Sequence, residues 1–163
     1  MRIGRTAVFI HLAAGAIVAC ATVGGSGTGE TYAIQAGSGT PHDIVRFTSR
    51  ILDRHQFEIQ RADTSPAYVV IETNWRGRYP LADEIRLGVV EAMTRLTIQA
   101  RSRTRSPAPG QDVRTVEIRA ENMVRMADSL SWIRGYVTPM FKEYIDALGD
   151  EIKLELNTGV RRF

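Results

Sequence analysis

The residues of this chain whose types and spacing could do chemistry are His42 and His55, the carboxylate pairs Asp83-Glu84 and Asp150-Glu151, the cluster Gly24-Gly25-Ser26-Gly27, the segment Asn74-Trp75-Arg76-Gly77-Arg78-Tyr79-Pro80, and Cys20. The two histidines fall at opposite ends of one expected helix, about 20 Å apart, too far to share a metal or an acid-base pair. His55 reads as a partly buried helix-end residue and His42 as a solvated first-turn residue. Adjacent carboxylates usually point to different faces, so both pairs read as solvated surface groups rather than a general acid and base or a calcium site. The glycine cluster lacks the preceding strand and immediately following helix of a dinucleotide site. There is no Gly-x-Ser-x-Gly elbow, no Walker-type phosphate loop and no second cysteine. The sequence offers no catalytic set, no metal site and no cofactor site, and reads as non-enzymatic.

The segment around Trp75 is of another kind. Trp75 and Tyr79 alternate with Arg76 and Arg78 at the end of an expected strand, where Gly77 allows a sharp turn. Aromatic rings with arginines are the composition of interaction hot spots. These four residues are the candidate contact site for an envelope protein, peptidoglycan or a lipid headgroup. The competing reading is that Trp75 completes the core while the arginines are solvated.

Cys20 is the only cysteine, so no internal disulfide can form. It follows a short basic start, Arg2 and Arg5, and an uncharged apolar run from Thr6 to Ala19. Such a run spans only about 21 Å as a helix against a hydrocarbon core of about 30 Å, which suits a signal peptide better than a membrane span. The run closes with Ile17-Val18-Ala19-Cys20, which resembles the lipobox of bacterial lipoproteins. The resemblance covers the first twenty residues. It implies that the thiol carries a diacylglyceryl group, that the leader 1–19 is cut away and that the new amino end is acylated, palmitate being the usual label. Ala21, in place of Asp, is similar to lipoproteins sorted to the outer membrane, with the domain facing the periplasm. Conventional cleavage after Ala21 is the alternative, since Ala19-Cys20-Ala21 also fits the small-x-small rule.

The formal charge of +3 includes Arg2 and Arg5, leaving 19 basic against 18 acidic side chains beyond the leader. With no concentrated basic surface or reading motif, nucleic acid is not an expected partner. At 44% hydrophobic and 24% charged residues, the composition is globular and suits one domain.

The elements that must position these residues follow from periodicity. Residues 20–39 are rich in Gly, Ser and Thr and are expected to be the lipidated cysteine and a flexible tether, with Thr31 to Ala36 an optional first edge strand. From Thr40 a helix is expected, with Thr40 as N-cap, Pro41 at the first position, and Ile44, Phe47, Thr48, Ile51, Leu52 and His55 on one face. Period-two alternation then marks strands at Phe57 and Ile59, at Val69, Ile71, Thr73 and Trp75, at Val90 to Ser102 and at Val113 to Ala120. The last two are joined as a hairpin through Ser106-Pro107-Ala108-Pro109-Gly110. A helix over 139–156 carries Phe141, Tyr144, Ile145, Leu148, Ile152 and Leu156 on one stripe, with Gly159 just beyond its end. The segment 122–137 is left open between strand end, short helix and loop.

The expected fold is a single α+β domain over 40–163, an antiparallel sheet of four to five strands packed by two helices in the order (β)αββββα. Its element order is similar to the helix-grip domains of envelope-assembly lipoproteins, an architectural likeness with no shared motif. The expected function is that of a membrane-anchored envelope lipoprotein whose domain binds another envelope component as a scaffold or assembly factor. The alternative is a carrier of a lipid or small hydrophobe between sheet and carboxyl-terminal helix, with Met93, Met123, Met126 and Met140 as adaptable lining, and a hydrolase comes third.

Overall fold

The computed structural model describes residues 31–102 and 112–160, so the expected signal peptide, Cys20 and the Ser106–Gly110 connection lie outside the described residues. The elements in chain order are β1 (Tyr32–Gly39), α1 (Pro41–Arg54), β2 (Ile59–Thr64), β3 (Tyr68–Thr73), β4 (Arg76–Arg78), α2 (Ala82–Arg86), β5 (Val89–Ser102), β6 (Arg114–Met126), β7 (Trp132–Arg134) and α3 (Pro139–Val160). The strands form one antiparallel sheet in the order β1-β6-β5-β3-β2, with β4 added to β5 and β7 to β6. The architecture is α+β.

Local chemistry sets the ends of α1. The Thr40 hydroxyl accepts from the Asp43 N–H at 3.2 Å, and Pro41 occupies the first position, whose N–H needs no partner. At the other end the Gln56 N–H bonds the Asp53 carbonyl and the Phe57 N–H the Leu52 carbonyl, both at 2.8 Å. This is a Schellman closure in which Gln56, at φ 59°, takes the left-handed position usually given to glycine.

The inward positions of β5 (Ala92, Thr94, Leu96, Ile98, Ala100) are all buried, as are Val116, Ile118 and Ala120 of β6. Leu96, Ile98, Ala100, Val116, Ile118 and Ala120 meet Ile44, Phe47, Ile51 and Leu52 of α1 and Phe141, Ile145, Leu148, Ile152 and Leu156 of α3 in the main core on one face of the sheet, while Ala92 packs with Val89 and Val124 in a smaller cluster. Two antiparallel helices thus cover one face, joined to each other by Arg50–Glu155 and Arg54–Glu151 ion pairs. Arg114, 1% exposed, ties the start of β6 to the β2–β3 turn: it pairs with Asp112 at 2.6 Å and donates to the Ser65 and Pro66 carbonyls.

The structure corrects the sequence reading in several places. Among the described residues the sheet has seven strands rather than four to five, and there are three helices rather than two. Strands of three residues, such as β4 and β7, and a helix of five, such as α2, are too short to show a period. The expected tether over 20–39 gives up residues 32–39 to β1, which pairs with β6 from Tyr32↔Ala120 to Gly39↔Arg114. Its glycines serve packing: Gly37 has φ 93° at a bulge, and a Cβ on Gly39 would lie 3.0 Å from Leu156 of α3. Residues 122–137 hold the end of β6, a turn, β7 and a loop, and α3 continues past 156 to Val160.

Candidate interaction site

The aromatic-arginine segment does not form one patch. Glu72 pairs with Thr97 and Arg76 with Thr94, so three residues on this side, Thr73, Asn74 and Trp75, oppose two on β5, Arg95 and Leu96. That one-residue excess reverses the in-out alternation between Thr73 and Arg76. Trp75, expected in line with Val69, Ile71 and Thr73, lies instead on the outer side of the sheet, where the Arg95 guanidinium sits 4.8 Å from its ring centroid. Arg76 and Arg78 turn inward. Arg76 donates to the Tyr144 hydroxyl at 2.9 Å and stacks 5.0 Å above Phe57. Tyr79 is 94% exposed.

Arg78 is neither a solvated group nor an available hot spot, because its side chain is 7% exposed and fully engaged. Its two terminal nitrogens bond both oxygens of Glu84 at 2.7 and 2.6 Å, its Nε donates to Thr94 Oγ1 at 3.0 Å, and one terminal nitrogen also donates to Asn122 Oδ1 at 2.9 Å. Its plane lies 5.4 Å from the Phe141 ring centroid. Glu84 further accepts from the Leu81 N–H and from Asn122 Nδ2, each at 2.8 Å. Asp83 accepts from the Met140 N–H at 2.9 Å and bonds the Thr138 side chain, fixing the start of α3 to α2.

The expectation that Asp83-Glu84 is a solvated pair is therefore overturned: both are buried. Burial alone pushes the two carboxyl groups up. For Glu84 the Arg78, Leu81 and Asn122 bonds outweigh it, and for Asp83 the Met140 N–H and the Thr138 hydroxyl do, so both sit below their ordinary values. With all four Glu84 bonds made by protein groups, the arrangement is a clamp joining β4, α2, β6 and α3 rather than a proton-transfer site. Thr138 caps α3 as the Thr138-Pro139 pair leads one to expect, accepting from the Phe141 N–H at 3.2 Å, whereas the role of Asn122 depends on long-range partners and has no local signal. The nearest sequence signals were the acidic residues two and three positions after Leu81, and Thr138-Pro139 as a cap. The other pair separates as expected: Asp150 is exposed, whereas Glu151 meets Arg54 and lies 2.6 Å from His55 Nε2. His55 is half-buried at the end of α1, and His42 is exposed.

Among the described residues, the outer face of the sheet carries no helix. It holds a concavity of about 470 Å³ that reaches from Ala33 on β1 to Gln60 on β2 and is floored by Glu72, Arg95, Thr97, Arg119 and Glu121. Arg95 meets Glu121 at 2.7 Å and Arg119 meets Glu117 at 2.5 Å, all four partly exposed, and Arg95 Nε has no hydrogen-bond partner among the described residues. Met93 and Met123 face each other across β5 and β6 on this same side, and Met140 is 36% exposed, so these methionines do not line the space beneath α3. That space is occupied by Phe141, Ile145 and Leu148 against Leu96 and Ile118. Among the described residues no helix is long and apolar enough to cross a membrane. No protein-family model matches this chain, and no curated protein matches it.

Proposed function

We propose that this chain is a membrane-anchored bacterial envelope lipoprotein whose α+β domain binds another envelope component without catalysing a reaction. The observation that carries the binding role is the outer face, which bears no helix among the described residues: a sheet surface five strands wide with Arg119 exposed and Glu72, Arg95 and Glu121 partly exposed in one concavity and Trp75 stacked at its side. Charges of both signs on a rigid sheet favour a polar, charge-patterned partner surface, a protein or peptidoglycan, and a stacked Trp supplies an anchor ring. Of the four residues first singled out, Trp75 stays with this surface, Tyr79 stands apart in solvent, and Arg76 and Arg78 support it from the inner side. The packed space beneath α3 favours this scaffold role over that of a carrier. The anchor follows from the lipobox-like Ile17-Val18-Ala19-Cys20.

A photo-crosslinking residue at Thr97, at the floor of the concavity, tests the binding role in native membranes. A discrete envelope adduct is expected, and the double variant Arg95→Glu, Arg119→Glu should abolish it while leaving the melting curve in place. An adduct indifferent to the double charge reversal refutes the assignment of this face. The anchor is tested separately by labelled palmitate, which Cys20 should take up and Cys20→Ser should not.

A further inference from the structure

The sheet ends at β2, which pairs with β3 on one side and, among the described residues, with no strand on the other. An open edge presents N–H and C=O groups that another strand can complete. The turn decides which groups these are. The Ser65 N–H bonds the Tyr68 carbonyl at 2.8 Å, so Ser65 and Tyr68 are a bonded pair, and bonded and non-bonded pairs alternate along an antiparallel ladder. The register runs Thr64↔Val69, Asp63↔Val70, Ala62↔Ile71 and Arg61↔Glu72. Asp63 and Arg61 therefore turn their backbone groups to β3, and Thr64 and Ala62 turn theirs outward.

The side chains of this edge alternate as well. Arg61 and Asp63 share the outer face with Glu72 and Val70 of β3, while Ala62, exposed, lies on the inner side with Ile71. Arg61 and Asp63 form an ion pair that leaves 59% and 39% of the two side chains exposed. Charges on an edge usually turn other strands away. Here their signs are opposite on the two sides of Ala62, which makes the edge complementary to itself. A twofold axis at Ala62 sets a second β2 antiparallel to the first, with Ala62 opposite the partner's Ala62 as a bonded pair, as its outward N–H and C=O require. Arg61 then stands opposite the partner's Asp63, and Asp63 opposite the partner's Arg61, in non-bonded pairs whose Cα atoms approach to about 4.5 Å. Each Arg61 lies between two carboxylates, Glu72 of its own β3 and the partner's Asp63. The other edge strand of the path, β1, carries no charged residue and has no such pattern.

We propose that β2 is a self-association edge, occupied by β2 of a second copy of this chain in twofold antiparallel register centred on Ala62. This pairing does not depend on the lipoprotein reading. The bulge between Ile59 and Arg61 interrupts the strand, so the contact is short and the dimer forms reversibly. The strand path β1-β6-β5-β3-β2 continues through the axis into the second copy. The outer concavity reaches Gln60 on β2, so two concavities adjoin across the axis and the dimer presents its polar face twice to one partner.

Sedimentation equilibrium of the full chain, in density-matched detergent so that an acylated amino end is no obstacle, should show a reversible monomer-dimer equilibrium. Arg61→Asp brings two carboxylates from each copy to the axis, and Asp63→Arg two guanidinium groups. Each variant alone should weaken dimerisation about tenfold or more, because two attractive cross-strand pairs become repulsive, with the melting curve nearly unchanged. An equal mixture of the two variants sets opposite charges against each other at both pairs and should form the mixed dimer. Ala62→Pro removes an outward N–H that β3 does not use, and should leave a folded monomer. A chain that stays monomeric up to its solubility limit overturns the proposal, as does a dimer indifferent to either charge reversal or to Ala62→Pro. A mixture of the two reversed variants that fails to associate overturns the register, and with it the assignment of β2.

Discussion

Replacing Arg78 by Met is the most informative perturbation, because it keeps much of the apolar stem and removes only the guanidinium. Glu84, its side chain 2% exposed, would lose its two shortest bonds and its one ion-pair partner among the described residues, while Asn122 Oδ1 and Thr94 Oγ1 would each lose a donor. Removing one member of a buried pair typically costs about 3–5 kcal/mol, against a net stability of about 5–15 kcal/mol for a whole domain. The midpoint of thermal unfolding should fall by about 10–20 °C for a domain of this size. The double variant Arg78→Met, Glu84→Leu removes the stranded charge as well and should regain a large part of the loss. The assay is urea unfolding of all four members of the cycle, followed by far-ultraviolet circular dichroism. A single-variant loss under about 1 kcal/mol, or two losses that simply add, would refute the clamp and return Arg78 to the solvent-exposed role its sequence neighbours suggest.

Acid should weaken the domain through the same cluster. Glu84 and Asp83 are held below their unfolded values, so the folded state binds fewer protons and their contribution is present above about pH 4 and lost as pH falls through the folded values. Urea midpoints between about pH 3 and 6 should show this rise, and Glu84→Gln should flatten it. Gln56→Gly should stabilise the domain by about 1 kcal/mol, because it relieves a left-handed backbone at no loss of packing; a lower melting midpoint would contradict the Schellman reading. Ile145→Asp should abolish the cooperative melt, since Ile145 is completely buried between α3 and the sheet, whereas exposed Lys142→Ala should shift it by less than about 1 kcal/mol.

The parts legible in the sequence were those long enough to repeat. Thr40-Pro41, the stripes of α1 and α3, and the alternation of β5 marked elements that the structure contains, because periodicity and capping are local. The tether boundary was misread because glycine was taken as a sign of freedom, whereas Gly39 is small so that Leu156 can approach and Gly37 turns a bulge. Trp75 was assigned to the wrong face because one extra residue opposite β5 leaves no mark in composition. The least legible feature was the clamp. Arg78, Glu84 and Asn122 are ordinary polar residues individually, and only a topology that stacks β4, α2 and β6 makes them a buried unit.

The pairing of β1 along β6 has a mechanical consequence for a tethered protein. The chain enters the sheet at Tyr32, opposite Ala120 in the middle of β6, and β1 runs from there toward the end that carries Arg114. A pull between an anchored amino end and a partner held on the sheet would run nearly parallel to the strand axis. Antiparallel hydrogen bonds lie across that axis, so the β1–β6 ladder would be loaded in shear, its bonds sharing the force instead of parting one at a time. Behind it, Gly37 and Gly39 seat the far end of β1 under Lys153 and Leu156 of α3, which acts as a stop against sliding. Were the amino end anchored as proposed, β1 would be the first strand to carry the tension.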